Sequence, residues 1–501
     1  MPPGEAGARY RFGPLERRGM VAGWRGGQIA AVAAALVVAV AVLRMSASVV
    51  GVVLALGAVA AGVGVSTWPV GGRTVEEWAP DALRHALRRR PRPRAGPFAG
   101  VDIITVDVGA SRVAVVHDRP RRTYTAVLGA AAPGFVLLGE DDKAGRVQAW
   151  SGVLASLARD GSAVHRVQWV ERARPADGGR SDVPVPATAV PGAAHANGSG
   201  VNGSGAVAAA RTSYDALLAA ESHAWCRHEV LLAVTVHAGR AARAVKAAGG
   251  GPAGACTVLL RETAALRRRL ADASVEVGAV LGPRQLAAAL RAAFDGTAGP
   301  DVGGLRIPAP AADAKDAGGP ADWTAVARSE GWPWPMGTEA TWGHVRTDAT
   351  VHATFWVSEW PRVDVGPDFL GPLVLLSDVR RTVSVVMEPL GPLAAARRVE
   401  QARTADIADA ELRRRGGFLA TARRRREEEI LARRETELAD GHAQYRFAGY
   451  VTVSAGDPDA LEEACGRVEQ AAGRAGLELR RCFGDQAQAF TCTLPMGRGL
   501  P

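Results

Sequence analysis

Three residues near the middle of the chain have side chains that bind metals or take part in acid–base chemistry. His223, Cys226 and His228 occur together in the sequence HAWCRH. Imidazole nitrogens and thiolates are ligands that zinc prefers, but a structural zinc site has four ligands at regular spacings. No second cluster of His or Cys accompanies this one. We therefore predict no metal site and no cofactor.

A nucleotide-driven motor would need a phosphate-binding loop, in which a Gly-Lys-Ser/Thr sequence places a lysine on the outer phosphates. The three lysines are Lys143, Lys246 and Lys315, and none of them follows a glycine. The glycine cluster Gly249–Gly254 lacks such a lysine and is interpreted as a turn. No G-x-S-x-G or H-E-x-x-H motif is present either. The sequence thus predicts no catalytic residues and a protein that is not an enzyme.

The amino-acid composition is that of a folded protein. Of 501 residues 48% are hydrophobic and 22% charged, which is ordinary for folded protein. Five cysteines without a regular framework predict reduced thiols in a cytoplasmic setting. The net charge of +9 comes almost wholly from arginine. This excess has two interpretations, codon bias or binding to nucleic acid or anionic lipid.

Two apolar runs near the N-terminus are Gly26–Leu43 and Val49–Trp68. Each is close to the about 20 residues that cross a hydrocarbon core about 30 Å thick. A signal peptide is the competing interpretation, but a second run follows at once and no convincing cleavage site separates the two. The sequence therefore predicts a transmembrane helical hairpin over 26–68.

Arginines flank both runs, whereas the loop between them contains only Arg44. By the positive-inside rule this predicts a multi-pass protein of the cytoplasmic membrane with both termini in the cytoplasm. Residues 1–25 would form a cytoplasmic segment and 69–100 a basic juxtamembrane linker. Membrane-interface residues are predicted at Trp24, Trp68, Arg88, Arg89 and Arg90.

The remaining chain reads as α+β, in two αβ-sandwich halves with mainly antiparallel sheets. Val-, Ile- and Thr-rich runs predict strands, such as His228–Val236, and apolar stripes at helical spacing predict helices, such as Pro283–Phe294. The first half would span 101–295, with a flexible Gly/Pro/Ser-rich insertion at 172–209, and a linker would follow at 296–320. The second half would span 321–501, with a long helical hairpin at 392–441. Within that half we predict an N-cap at Asp457 and a final strand over Ala487–Leu494.

Half of the twelve tryptophans lie between Trp323 and Trp360. Aromatic side chains interleaved with arginine can anchor a protein interface or stack on single-stranded bases, and ordinary packing would also use them. The candidate partner interface consists of Trp332, Trp334, Trp342, Trp356 and Trp360.

Several segments occur in an order that resembles a known family. They are RYRFGPLERRG, the apolar hairpin, VGGRTVEEWAP, HEVLLAVTV and FAGYVTVSAGDPDALEEACGRVEQ. Together they resemble an actinobacterial integral membrane family of conjugation-like, type IV secretion systems. The resemblance is to a PrgI-like two-helix anchor fused to the N-terminal non-motor domain of VirB/Tra-type ATPases. In that family the Leu-Pro matching Leu494-Pro495 precedes a motor domain, whereas this sequence ends at Pro501.

The resemblance implies a non-enzymatic, membrane-anchored adaptor of a type IV secretion apparatus. It would dock a separate motor ATPase and a polytopic channel protein at the cytoplasmic face of the lipid bilayer. The alternative is a membrane-tethered nucleic-acid-binding protein, and self-association is left open.

Overall fold

The structure is a computed structural model that describes residues 26–45, 48–67, 69–70, 73–74, 97–109, 111–131, 138–175, 226–295, 326–328, 334–415, 429–430, 432–433, 435–438 and 442–500. Its helices are α1 (Gly26–Met45), α2 (Val49–Thr67), α3 (Glu140–Leu157), α4 (Ala242–Ala247), α5 (Gly251–Asp272), α6 (Pro283–Phe294), α7 (Gly371–Val374), α8 (Pro392–Arg415), α9 (Pro458–Arg474) and α10 (Gln486–Thr491). Its strands are β1 (Pro69–Val70), β2 (Arg73–Thr74), β3 (Val101–Val108), β4 (Ser111–Asp118), β5 (Thr123–Ala131), β6 (Val164–Pro175), β7 (Cys226–His237), β8 (Glu276–Val280), β9 (Val326–Arg328), β10 (Thr338–Ala340), β11 (Val345–Thr347), β12 (Thr350–Glu359), β13 (Arg381–Leu390), β14 (Gln444–Ala455) and β15 (Glu478–Arg481).

The two apolar runs fold as α1 and α2, which contact each other. Among the residues that the structure describes, no helix is both long and apolar enough to cross a membrane. The predicted transmembrane hairpin is therefore wrong, and the multi-pass topology that depends on it is unsupported.

Within the described ranges thirteen strands form one sheet, in which every pair of neighbours is antiparallel. The order is β10-β11-β12-β14-β13-β6-β7-β5-β4-β3-β9, with β15 also paired to β12 and β8 to β5. The α+β class with antiparallel strands is thus confirmed. The expectation of two separate sheets is wrong, because β6 from the first half pairs with β13 from the second over Val167–Ala173.

Helices and the C-terminal segment cover the two faces of this sheet. On one face α5 packs on β5 and β7 through Leu259 and Leu266, while α9 packs on β12 and β14 through Leu461 and Val468. On the other face α6 contributes Leu286, Leu290 and Phe294, joined by Phe490 and Met496 from the C-terminal part. The central strands are therefore buried on both faces, and most polar side chains that they carry lie inside the protein.

Local signals account for where the packed helices begin. Asp457 accepts a hydrogen bond from the Ala460 amide at 2.9 Å, so the predicted N-cap of α9 is confirmed. Gly249 and Gly250 form a turn, as predicted, whereas Gly251–Gly254 begin α5. Gly249, Gly250 and Gly251 have φ of 96°, 72° and 60°. Residues with a Cβ rarely adopt these angles, which explains the run of glycines.

The end of the chain differs from its prediction. Residues Ala487–Leu494 alternate in a manner typical of a strand, yet Gln486–Thr491 forms the helix α10. The following carbonyl groups of Cys492 and Leu494 accept hydrogen bonds from the Gln168 side chain instead of from a neighbouring strand. Tertiary contacts therefore override the local β preference.

Candidate functional site

Polar side chains are buried on both faces of the sheet where β6 lies between β7 and β13. Such residues are rare inside proteins unless their hydrogen bonds and charges are compensated. On the face covered by α5 and α9 the buried side chains of Glu171 and Arg381 adjoin the half-buried Cys226 and the more exposed His228, and we call these four residues the Cys226 cluster. On the opposite face buried polar side chains contact residues 492–500, which we call the C-terminal segment.

The register of the strands assembles the Cys226 cluster. Cys226 and His228 are two residues apart on β7 and therefore project to the same face. Glu171 on β6 is paired with Val230, two residues from His228, and Arg381 on β13 is paired with Ala173. The cluster consequently joins the first half of the chain to the second.

A direct contact between His228 and Glu171 lies at the centre of the Cys226 cluster. His228 Nδ1 lies 2.6 Å from Oε1 of Glu171, which is 1% exposed. The Cys226 side chain lies near His228 and Arg381, and it raises the pKa of His228. Arg381 is also 1% exposed and donates to the carbonyl groups of Val374, Leu376 and Val379. The imidazole of His228 and the carboxylate of Glu171 are thus in direct contact, and the thiol of Cys226 and the guanidinium of Arg381 lie nearby.

Charge in the cluster favours a protonated imidazole. The Cys226 side chain, and then the hydrogen bond with Glu171, raises the pKa of His228 to about 9. Burial lowers the pKa of Arg381, while the charge of Glu171 opposes that effect. His228 is 34% exposed in its side chain and Cys226 is half-buried, so that small molecules can reach them.

The opposite face binds the C-terminal segment through its backbone. Gln168 donates to the carbonyl groups of Cys492 and Leu494, both at 2.9 Å, and accepts from the Gly497 amide at 2.7 Å. Arg166 donates to the carbonyl groups of Gly497 and Leu500. On the neighbouring strands, Ser384 of β13 and Tyr450 of β14 donate to the carbonyl groups of Cys492 and Gly499, so the segment is attached to three strands of the sheet.

A buried carboxylate lies beside this segment. Glu388 on β13 contacts Arg240 at 2.6 Å, Arg166 at 3.4 Å, and His165 at 3.9 Å. Burial alone would raise the pKa of Glu388, but the hydrogen bond from Arg240 and the nearby positive charges hold it below the ordinary value. Burial, then Arg166, lowers the pKa of His165 to about 4. The group is compensated within the protein and is interpreted as structural.

The residues singled out from sequence have different locations. Trp334 is 4% exposed and stacks on Phe98 with centroids 4.9 Å apart, whereas Trp342 is 37% exposed. Trp356 and Trp360 are half-buried on and after β12. The others, His223, Trp24, Trp68, Arg88, Arg89, Arg90 and Trp332, lie outside the described residues. The partner interface stays a prediction.

The sequence HAWCRH contains residue types that bind metals. Within the described part of the chain, no group of three His, Cys, Asp or Glu side chains could hold a metal ion. His352, a histidine of β12, is 1% exposed and its two ring nitrogens lie 2.6 Å from Thr347 Oγ1 and 2.8 Å from Ser454 Oγ. It is a satisfied structural histidine.

Sequence reasoning missed Gln168, Glu171 and Arg381. Gln168 and Glu171 interrupt the apolar run of β6, VHRVQWVERA, and a polar residue inside a strand that is buried on both faces is a usable signal. Arg381 begins β13, and nothing in the local pattern distinguishes it from a solvated arginine.

Residues 224–357 match a family model described as "Putative type VII ESX secretion system translocon, EccE". A search of curated proteins finds no match. The matched residues include Cys226 and His228 of the cluster and continue into β12.

The match supports the predicted assignment to a secretion system. The assignment to a type IV, conjugation-like system is wrong, because the matching family is of type VII. The error has a physical origin: strand and helix patterns of an α+β core recur in many unrelated proteins and do not by themselves specify the apparatus.

Proposed function

We propose that this chain is a non-enzymatic, membrane-associated component of a type VII secretion translocon. The observation that carries the proposal is the match of residues 224–357 to a translocon family. In the fold these residues provide the helices α5 and α6, the strand β7 and most of β12. In the sheet, β7 lies on one side of the paired strands β6 and β13, and β12 lies on the other side. The matched part is therefore integrated into the sheet and is not a separate appendage.

Membrane association is supported by the surface of α1 and α2. Large apolar side chains there are open to solvent, among them Val37 at 69%, Val49 at 82% and Val53 at 62%. Contiguous exposed apolar surface is uncommon on soluble proteins and marks a surface that contacts lipid or protein. We propose that this helix pair contacts the membrane.

A non-enzymatic role is supported by the sequence, since none of its three lysines belongs to a phosphate-binding loop. Energy for transport would then come from another subunit. We propose that the sheet domain docks a separate motor ATPase and a channel-forming subunit of the same translocon.

The test is isolation of the tagged full chain from its native host in mild detergent. The expected result is a complex that contains the type VII motor ATPase, together with loss of type VII export when the chain is deleted and recovery when it is restored. Isolation of the chain alone, with export unchanged after deletion, would refute the proposal.

Membrane association has its own test in the same host. Replacing Val37, Val49 and Val53 with Ser should reduce recovery of the chain in the membrane fraction. The matched control is Ile407→Ser, because Ile407 on α8 is also exposed, at 63%, but lies outside the helix pair. Equal recovery of both variants would contradict the proposed contact.

A further inference from the structure

Three arginines lie together where β6 and β7 meet the helix α6. Arg172 and Arg174 are two residues apart on β6 and therefore project to the same face of the sheet. In the strand register Arg172 is paired with Glu229 of β7, and Arg174 is paired with Arg227. Paired residues of neighbouring strands share a face, and Arg172 contacts the Ala289 carbonyl group of α6 there. We call Arg172, Arg174, Arg227 and Glu229 the Arg172 site.

The buried guanidinium of Arg172 uses only one of its edges. Arg172 is 3% exposed, and its Nη1 donates to the Ala289 carbonyl group and to the Glu229 carboxylate. Its Nε and Nη2 have no hydrogen-bond partner within the described residues, which is uncommon for buried donors. Together these two groups form the planar fork with which arginine binds two oxygens of one anion.

Two other buried arginines show what the Nε and Nη2 edge takes in this protein. Both groups of Arg166 donate to Oε2 of Glu388 at 3.4 Å. Both groups of Arg498 contact Oδ2 of Asp118, at 2.8 and 2.7 Å. In each pair a carboxylate of the chain compensates the guanidinium charge at this edge. An oxyanion from outside the chain would complete Arg172 in the same way.

The charge around this edge is positive. Burial lowers the pKa of Arg172, the charge of Glu229 opposes that effect, and the charge of Arg174 adds to it. Arg174 is half-buried and Arg227 is exposed, so the positive charge continues from the buried edge to the surface. Three guanidinium groups face one carboxylate in the Arg172 site. A dianion offsets this excess more completely than a monoanion does, which favours phosphate over a carboxylate.

We propose that the Arg172 site binds a phosphate group, carried by a soluble compound or by a lipid headgroup. Two phosphate oxygens accept hydrogen bonds from Nε and Nη2 of Arg172, and the remaining oxygens face Arg174 and Arg227. Because the two nitrogens of Arg172 are closed to solvent, the half-buried Arg174 side chain moves aside as the phosphate enters. Binding at this site does not depend on the proposed translocon role.

The test is calorimetric titration of the full chain in an uncharged detergent, with inorganic phosphate as the probe and constant ionic strength. One phosphate should bind per chain. Arg172→Lys retains the positive charge but lacks the planar fork, so it should weaken binding at least about 10-fold. The control is Arg112→Gln, which changes an exposed arginine of β4 and should leave the affinity unchanged. No binding, or equal binding by the unaltered chain and Arg172→Lys, would overturn the proposal.

Two further variants decide the matter if Arg172→Lys does not fold. Arg174→Gln and Arg227→Gln change less buried positions, so the fold should be retained. Each removes a charged donor and should weaken phosphate binding about 3- to 10-fold. Arg227 and Arg112 are both exposed arginines on strands, so Arg112→Gln is also the matched control here. Unchanged affinity in both variants would refute the site.

A lipid arm of the experiment identifies the source of the phosphate group. The full chain is placed in phosphatidylcholine nanodiscs with or without phosphatidic acid and titrated with inorganic phosphate. If the ligand is a lipid headgroup, phosphatidic acid should block the binding of added phosphate. If the ligand is a soluble compound, both kinds of disc should bind phosphate equally. Either result supports the phosphate site, whereas absence of binding in discs of phosphatidylcholine alone would contradict it.

Discussion

Arg498 and Asp118 form an ion pair in which each side chain is only 2% exposed, with 2.7 Å between Nη2 of the arginine and Oδ2 of the carboxylate. The two residues are 380 positions apart in the sequence. Arg498 also donates to the carbonyl group of Pro97 at 2.8 Å. The pair therefore fixes the C-terminal segment to the end of β4 and to the residues that precede β3.

Removing the arginine should be costly because it leaves the carboxylate buried without its main partner. We expect Arg498→Met to lower the free energy of unfolding by about 3 kcal/mol, measured by chemical denaturation. The control is Arg433→Met, which breaks an exposed pair with Glu437 and should cost less than about 0.5 kcal/mol. Similar losses in the two variants would contradict the importance of burial.

Gly497 should not tolerate a side chain. Its φ is 67°, and a Cβ there would collide with Thr235, whose own Cβ would be 3.1 Å away. Left-handed backbone strain and overpacking together predict a loss of about 2–4 kcal/mol for Gly497→Ala. Gly161 has a φ of 89° but open space around it, so Gly161→Ala should lose only about 1 kcal/mol. Thermal unfolding of both variants measures the difference, and an equal effect would exclude the steric contribution.

His352 should make the fold sensitive to acid. Burial lowers its pKa to about 3, whereas in the unfolded chain the imidazole titrates near its ordinary value of 6.5. Between these values only the unfolded state takes up the proton, so the free energy of unfolding falls as pH falls from 6.5 to 3, by at most about 1.4 kcal/mol per pH unit. Urea denaturation across this range should give a smaller slope for His352→Gln. An unchanged slope would show that another group dominates.

His228 should act in the opposite direction. The neighbouring Cys226 side chain and the hydrogen bond with Glu171 raise its pKa to about 9, so the folded state retains a proton that the unfolded chain has lost above 6.5. Its stabilising contribution is complete below pH 6.5 and disappears as pH rises through 9. The difference in Tm between the unaltered chain and His228→Gln should therefore be largest in mild acid and vanish above pH 9. A difference that persists at high pH would point to packing instead of charge.

The N-cap of α9 gives a simple test of local structure. Asp457 is exposed and its side chain accepts from the Ala460 amide, so Asp457→Ala should cost about 1 kcal/mol. Asp457→Asn retains an acceptor and should cost only a small fraction of that amount. Chemical denaturation compares the two, and equal losses would argue against capping.

Local patterns predicted most of the elements of the sheet domain. Pro283–Phe294 forms α6 with the predicted bounds, and the predicted strand His228–Val236 lies within β7. In these elements apolar residues recur at a regular spacing, and this spacing depends only on residues that are close in the sequence. The final segment was predicted poorly because its conformation depends on contacts with Gln168, more than 300 positions earlier.

The Cys226 cluster could likewise be predicted only in part from the sequence. The sequence alone presents Cys226 and His228 as close neighbours, since they belong to one strand. It does not indicate Glu171 or Arg381, which belong to two other strands. Their proximity depends on the pairing of β6 with both β7 and β13.

The sequence by itself determined the α+β class, the periods of the main elements, the capping of α9 and the lack of a phosphate-binding lysine. Only the tertiary structure decided that the two halves share one sheet, that the C-terminal segment lies across its polar face, and that an acid, an imidazole and a thiol meet at its centre. The physical reason is the range of the interactions. Periodicity and capping act within a few residues, whereas strand pairing and buried charge compensation join residues that are hundreds of positions apart.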